Sequence, residues 1–327
     1  MNVVVSLKNF VANIAIPVLR FHSVAQYLMP GYYSLANRCF SRAEQPTVFR
    51  SRNHSGFSFV AIRFGSFGKA IFSNPTAFCF LFSNLNHKEF QLMVSHLQML
   101  SYPFPKIIEI RSDKRMLVVE RAIGEPGYDN DWRMHLFSYC KNIAKRAFQS
   151  CSTRKTTSSR SVARKIGIDE YWAVPQHGDL HCENVLRRNR EDFAFIDYDM
   201  IGVWPLFFDA FSIVLSPKNT TSSFDENIAN LNYLVQNASD VFDSFFLGGN
   251  TTSLKLLDRY LSLFFLARFD WLMNTAKISH STYKAEIAYR VAPFLGAACL
   301  DKLPLTRSAI QIMCEMTKHP RIAPALI

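Results

Sequence analysis

The chain has 327 residues, 49% of them hydrophobic, with 29 phenylalanines and a formal net charge of +11. That length is too great for one small core and fits a two-lobed globule, and the apolar share excludes a chain too polar to fold. The basic balance favours anionic partners such as phosphates, acidic glycans or lipid head groups, and no basic stripe interleaved with aromatics speaks for nucleic acid.

Residues 1–46 read as an apolar extension. Val3-Val4-Val5, Phe10-Val11-Ala12 and Ile14 to Leu19 are interrupted by Lys8, and Pro17 would kink a helix. This suits a packed or interfacial segment better than a cleaved leader, so peripheral membrane contact through residues 1–46 is expected. No run of about 18 uncharged apolar residues occurs, so a spanning helix is not expected. Seven scattered cysteines without a Cys-x-x-Cys pair suggest neither a disulfide framework nor a four-cysteine zinc site. They fit a reducing, cytoplasmic setting, in which the sequons at Asn53, Asn219, Asn237 and Asn250 carry no meaning.

From Thr47 the pattern turns to β. Thr47–Arg50, Phe57–Phe64, Lys69–Ser73 and Ala77–Phe82 are short β-branched and aromatic runs punctuated by Gly, Asn, Ser and Pro. Phe90, Met93, Leu97 and Leu100 then share one helix face, with Asn84 or Asn86 as the cap. Two strands follow, Ile107–Ile110 and Arg115–Glu120, and Gly124-Glu125-Pro126-Gly127 is a break between lobes. Beyond it the chain reads as mainly helical, over 130–150, 205–216, 224–247, 252–274, 282–301 and 305–317. The acid-free basic segment 152–165 reads as a mobile loop or the start of a basic helix.

The exception to the helical pattern is a hairpin. Val185–Arg187 and Phe193–Ile196 flank the turn Asn189-Arg190-Glu191-Asp192. Asn184 starts the first strand and Asp197 ends the second, so the two lie side by side. An amide oxygen and a carboxylate suit a hard cation that keeps its other positions for phosphate or water. Asp179, on the preceding loop, faces the same place, where it could orient a hydroxyl and accept its proton.

His177-Gly178-Asp179-Leu180-His181, then Asn184-Val185-Leu186 and Ile196-Asp197-Tyr198-Asp199, resembles the aminoglycoside phosphotransferase and choline kinase-like family of small-molecule kinases. The match spans residues 177–209. The resemblance implies an α+β, two-lobed protein-kinase-like fold. Its small antiparallel-sheet lobe with one helix would be residues 47–123, and its larger, mainly helical lobe residues 124–327. It implies ATP and Mg²⁺ as cofactors, Asp179 as catalytic base, His177 as a brace, Asn184 and Asp197 as metal ligands, and Asp209 as a structural acid heading the next helix.

On the nucleotide side it implies Gly65, Ser66, Gly68 and Lys69 as the end of a glycine-rich loop, Glu89 as the helix acid that pairs with a strand lysine, and Glu120 and Ala122 as an adenine-binding hinge. Glu89 also reads as an ordinary first-turn carboxylate. The strand Phe78–Phe82 has no lysine, a departure from the pattern for which Lys69 or Arg63 could substitute. Glu183, Asp199, Asp270 and Trp271 are candidates for contacting the acceptor, a hydroxyl-bearing small molecule, sugar or glycan. Two other readings stand beside this one: a kinase-like module that binds nucleotide or a partner with little turnover, and a zinc hydrolase built on His177 and His181.

Overall fold

The computed structural model describes residues 58–63, 69–82, 85–100, 102–126, 130–181, 184–189, 191–198, 200–215, 224–242, 252–274, 280–318 and 326. The apolar extension 1–46 and the run Thr47–Arg50 lie outside the described residues. The chain divides into two compact units, one running to Val94 and including Pro105–Ala122, the other comprising Ser95–Phe104 and Ile123–Ile327.

The first unit is a five-stranded antiparallel sheet. Its strands are β1 (Ser58–Arg63), β2 (Lys69–Ser73), β3 (Ala77–Phe82), β4 (Ile107–Arg111) and β5 (Met116–Glu120), in the order β1-β2-β3-β5-β4. The alternation that predicts these strands also sorts their faces. Phe72, Ala77, Cys79, Met116 and Val118 form one buried cluster, with Leu81 packed against it. Asn74 shapes the β2–β3 turn, its Oδ1 accepting from the N–H of Thr76 at 2.9 Å and Ala77 at 2.6 Å.

Helix α1 (His87–Met99) buries Phe90, Met93, Val94, Leu97 and the following Leu100, as the 3.6-residue period requires. The Phe90 ring lies 5.8 Å from that of Phe82.

The second unit mixes small antiparallel sheets with helices. One sheet pairs β6 (Glu125–Pro126), β9 (Val185–Arg187) and β10 (Phe193–Phe195) in the order β10-β9-β6. The predicted hairpin is present, with Phe195 opposite Val185. Within the predicted break, just after the division between the two units, Glu125–Pro126 forms an edge strand, where Pro126 is tolerated because an edge needs no second ladder. A further sheet, β11-β8-β7, is one the sequence pattern does not predict. Its strands are β7 (Thr153–Thr156), β8 (Glu170–Gln176) and β11 (Gly202–Pro205). The basic segment 152–165 is therefore a fully exposed edge strand followed by one short helical turn, α3 (Val162–Lys165).

The remaining helices are α2 (Asn130–Cys151), α4 (Phe208–Leu215), α5 (Phe224–Gln236), α6 (Ala238–Val241), α7 (Ser253–Asn274), α8 (His280–Arg290) and α9 (Pro304–Met316). The predicted 282–301 helix ends at Arg290, because Pro293 cannot continue it, and two 3₁₀ turns follow. Helix α4 is wholly buried and α7 nearly so from Leu257 to Phe269. Their aromatic rings interlock, Phe208 and Phe264 standing 5.1 Å apart, and Trp204 of β11 stacks on Phe208 at 4.4 Å. Each such ring contributes roughly 2–3 kcal/mol of burial. No described helix is long and apolar enough to cross a membrane.

Helix α9 begins with Pro304, so its first free amides are those of Leu305 and Thr306, and no side chain of its own caps them. Asp258 of α7 does so from outside. Its carboxylate accepts from Leu305 N at 3.0 Å, Thr306 N at 2.8 Å and Thr306 Oγ1 at 2.8 Å. Removing this buried acceptor orphans donors at a helix start. Asp258→Ala is expected to cost roughly 2–4 kcal/mol in urea unfolding; an unchanged midpoint would show the cap to be idle.

Candidate active site

The loop between β8 and β9 is built on Asp209, in the first turn of α4. Asp209 is completely buried. Its Oδ2 accepts from the N–H of His177 at 2.7 Å and from Tyr102 Oη at 2.6 Å, and its Oδ1 accepts from the N–H of Gly178 at 2.8 Å. Gln176 closes the arrangement: its Oε1 accepts from Asp209 N at 3.0 Å and its Nε2 donates to Pro205 O at 2.7 Å. Burial pushes the Asp209 carboxyl up from its ordinary 3.8, while the His177 ring and the three donors pull it back. Tyr102 is pushed well above its ordinary value, chiefly by burial and next by the Asp209 charge.

Gly178 has φ +83°. A Cβ there would lie 2.3 Å from Met200 O and 2.4 Å from Trp204 Nε1, two groups already joined by a 2.8 Å hydrogen bond. Only glycine fits, both for the backbone and for the space.

His177 is fully buried. Its Nε2 donates to Ile196 O at 2.9 Å, and its Nδ1 accepts from Asp179 N at 3.4 Å. Phe104 stacks on the ring at 6.0 Å. Both ring nitrogens thus serve the hairpin and the loop, which argues against a zinc site on His177. Among the described residues no three His, Cys, Asp or Glu side chains stand close enough to hold a metal.

Asn184 Nδ2 donates to the carbonyl of Asp179 at 2.8 Å, and the Asn184 amide bonds His181 O at 2.9 Å. The Asn184 carbonyl in turn accepts from Ile196 N at 2.9 Å. This extends the β9–β10 ladder by one step and brings Asp197 beside the start of β9. Asp197 takes φ +68°, a left-handed conformation that Asp tolerates better than most residues. With Nδ2 engaged, the other prong of Asn184 is its Oδ1. An amide oxygen and a carboxylate fit a hard divalent cation whose other ligands are phosphate and water.

Sequence reasoning missed a charge close to Asp179. Arg268 of α7 places Nη2 3.4 Å from Asp179 Oδ1, and His181 Nε2 lies 4.0 Å from Oδ2. A signal for it exists: Arg268 is the one charged residue in the stretch of α7 from Tyr260 to Phe269, all of it buried. Asp270 stands two residues on, about 200° round the helix from Arg268. Its Oδ1 accepts from Leu326 N at 2.8 Å and Asn274 Nδ2 at 3.0 Å, which ties Leu326 to α7. Trp271 is half-buried and lies nearer the Arg268 side of the helix. Glu183 and Asp199 lie outside the described residues.

In the first unit, Gly65, Ser66 and Gly68 lie outside the described residues. Lys69 is buried on β2, opposite Phe82 of β3, with Nζ 5.7 Å from the Phe80 ring centre. Glu89 is exposed and closes a capping box: Asn86 N donates to its Oε2 at 2.8 Å, and Asn86 Oδ1 accepts from its N–H at 3.0 Å. Glu120 ends β5 and is exposed, its N–H bonding Lys106 O at 2.8 Å; Ala122 follows, half-buried.

No protein-family model matches the chain, and no curated protein sequence matches it. Among solved structures it is similar to choline kinase-family proteins and aminoglycoside phosphotransferases. A choline/ethanolamine kinase family protein from Mesorhizobium loti aligns at TM-score 0.42 and 10% identity, over 86% of this chain and 99% of that one. The choline kinase of Streptococcus pneumoniae aligns at TM-score 0.39 and 9% identity, over 79% and 94%. Aminoglycoside 2'-phosphotransferase-IIIa, in its GDP complex, aligns at TM-score 0.39 and 12% identity, over 83% and 96%.

Asp209→Asn cannot accept from three donors and is expected to cost roughly 2–4 kcal/mol. Because the folded pKa is raised, wild-type stability relative to this variant is greatest below the ordinary 3.8 and declines as pH rises through the folded value. Urea titrations across that window check this; a difference growing with pH would show that the donors outweigh burial. Glu89→Gln keeps the capping box and removes the charge, so stability in urea unfolding is expected within about 0.5 kcal/mol of wild type. A much larger loss would give Glu89 an electrostatic role beyond the cap.

Proposed function

We propose that the chain is a phosphotransferase that moves the terminal phosphate of ATP to a hydroxyl of a small molecule or glycan. In this reading Asp179 is the base, His177 braces its loop, and Asn184 and Asp197 hold Mg²⁺. One observation carries it: the Asn184 amide bonds the Asp179 carbonyl, and the Asn184 carbonyl bonds the residue before Asp197. Three side chains spread along the sequence thereby share one local frame.

Asp179 orients the acceptor hydroxyl and takes its proton as the acceptor oxygen bonds the terminal phosphorus. The bond from that phosphorus to the bridging oxygen breaks, and the diphosphate leaves with the electron pair. Mg²⁺, when bound, neutralises charge on the phosphates. The chain contributes mainly position: His177, Gly178 and Asp209 fix the loop, and the hairpin fixes the two ligands.

Asp179→Asn is expected to lower phosphate transfer by about 10²–10⁴-fold, with unfolding midpoint unchanged. A fully active Asp179→Asn protein sinks the proposal.

A second reading is a kinase-like module that binds nucleotide or a partner with little turnover. It is favoured by β3, which has no lysine, and by Glu89, whose carboxylate serves its own helix. Calorimetry with Mg-ATP beside a turnover screen of sugars, amino alcohols and glycan fragments separates the two. Binding without turnover across the screen favours the module.

A further inference from the structure

The basic excess of the chain is concentrated in one stretch. Between Trp132 and Ile168 stand nine lysines and arginines and no aspartate or glutamate, against a net charge of +11 for the whole chain. Five of them, Arg154, Lys155, Arg160, Arg164 and Lys165, lie on β7 and in the connection from it to β8, and all five are exposed.

This connection is held down along its length. Thr157 ties its two ends together: its N–H bonds Asp169 O at 2.9 Å, and its Oγ1 donates to Ile168 O at 2.7 Å. Ser161 Oγ donates to Ser158 O at 2.8 Å and accepts from Arg164 N at 3.2 Å. Val162, Ala163 and Ile168 are buried, and Ala163 N bonds Leu326 O at 3.0 Å. The apolar side chains anchor the turn and leave its cations facing water.

Two of the five are matched locally. Arg154 pairs with Glu170, and Arg164 with Asp169 at 2.7 Å. Lys155, Arg160 and Lys165 have no ion pair among the described residues. Three unpaired cations thus project from one small, fixed element.

We propose that this face, β7 and the turn through Lys165, docks on a membrane surface that carries anionic lipid. The charge complementarity is direct, and the rest of the face narrows the partner. Charges on the open edge of β7 oppose the addition of another strand, which disfavours an extended peptide. No aromatic residue stands between Ser152 and Lys165 on which a base could stack. A plane of anionic head groups asks for neither feature: cations on long stems meet it without directional pairing. The inference is independent of the reading of Asp179 as the base.

The test is sedimentation of the full chain with vesicles of phosphatidylcholine alone and of phosphatidylcholine and phosphatidylserine in equal parts. Neutral vesicles report any contact made by the apolar residues 1–46, so the readout is the ratio of the two affinities. Wild type is expected to prefer the mixed vesicles by about 10²-fold, about fivefold for each unpaired cation. The preference should vanish at about 1 M salt, where charges are screened within about 3 Å.

The triple variant Lys155→Gln, Arg160→Gln, Lys165→Gln is expected to lose most of the preference. All three positions are exposed, and an unchanged unfolding midpoint confirms the fold. A control triple variant, Lys88→Gln, Lys106→Gln, Lys302→Gln, removes the same charge from exposed positions elsewhere and is expected to keep the preference. Equal binding to both vesicles overturns the proposal, and so does an equal loss in the two triple variants, which would assign the effect to net charge. Poly-L-glutamate and duplex DNA complete the test. Capture of either through the same three cations, without vesicle preference, gives the face to another polyanion and overturns the lipid surface.

Discussion

The second unit depends on one buried carboxylate. Asp209 gathers the amides of His177 and Gly178 and the hydroxyl of Tyr102, and Gln176 fixes its own amide. Taking a carboxylate wholly out of water is expensive unless its lone pairs are met by donors. Here the donors come from two stretches of chain: the segment after α1 and the loop beyond β8. Satisfying Asp209 therefore sets the path of that loop. Two consecutive amides cannot point at one carboxylate in an extended strand, so the chain must turn at Gly178. The left-handed φ and the close approach of Met200 and Trp204 follow from that turn.

Much of this is legible in the sequence, because the hairpin carries local signals. The apolar pairs Val185-Leu186 and Phe193–Phe195 alternate, and Asn189 and Asp192 mark the turn between them. Asn189 Oδ1 accepts from Glu191 N and Asp192 N, each at 2.9 Å. Once the register is set, Asn184 and Asp197 meet without further information. What is not legible lacks a period. Strand β7 reads Thr-Arg-Lys-Thr and is exposed at every residue, so no face marks it; its charges suit an edge that must not pair further. Strand β8 is buried in a block from Ala173 to Gln176 rather than by alternation, and contains Pro175. It is a strand because β7 and β11 flank it. Arg268 is likewise visible in the sequence only as the lone cation of the apolar stretch of α7 from Tyr260 to Phe269, and its partner emerges when α7 and the loop are seen together.

The nucleotide side shows how one residue admits two chemistries. Glu89 has the position of a pairing acid and the geometry of a helix cap, and its carboxylate is spent on the Asn86 amide. Lys69 stands one strand over from where the resemblance implies a lysine, opposite Phe82, with its Nζ over the Phe80 ring. Sequence spacing alone places an acid and a lysine within a few residues of expected positions; hydrogen bonding and register say what each is doing.

Charge divides in the same way between what composition reports and what position decides. The net +11 of the chain favours anions in general, yet charge on solvated surface is screened within about 10 Å at ordinary salt. Arg268 acts differently because it is buried, where a charge is screened little and an unmet donor cannot turn to water. Its pairing with Asp179 would survive neutralising the whole exterior. Total charge bears on which ions gather round the chain; the guanidinium beside Asp179 bears on that one carboxylate, through a contact of 3.4 Å.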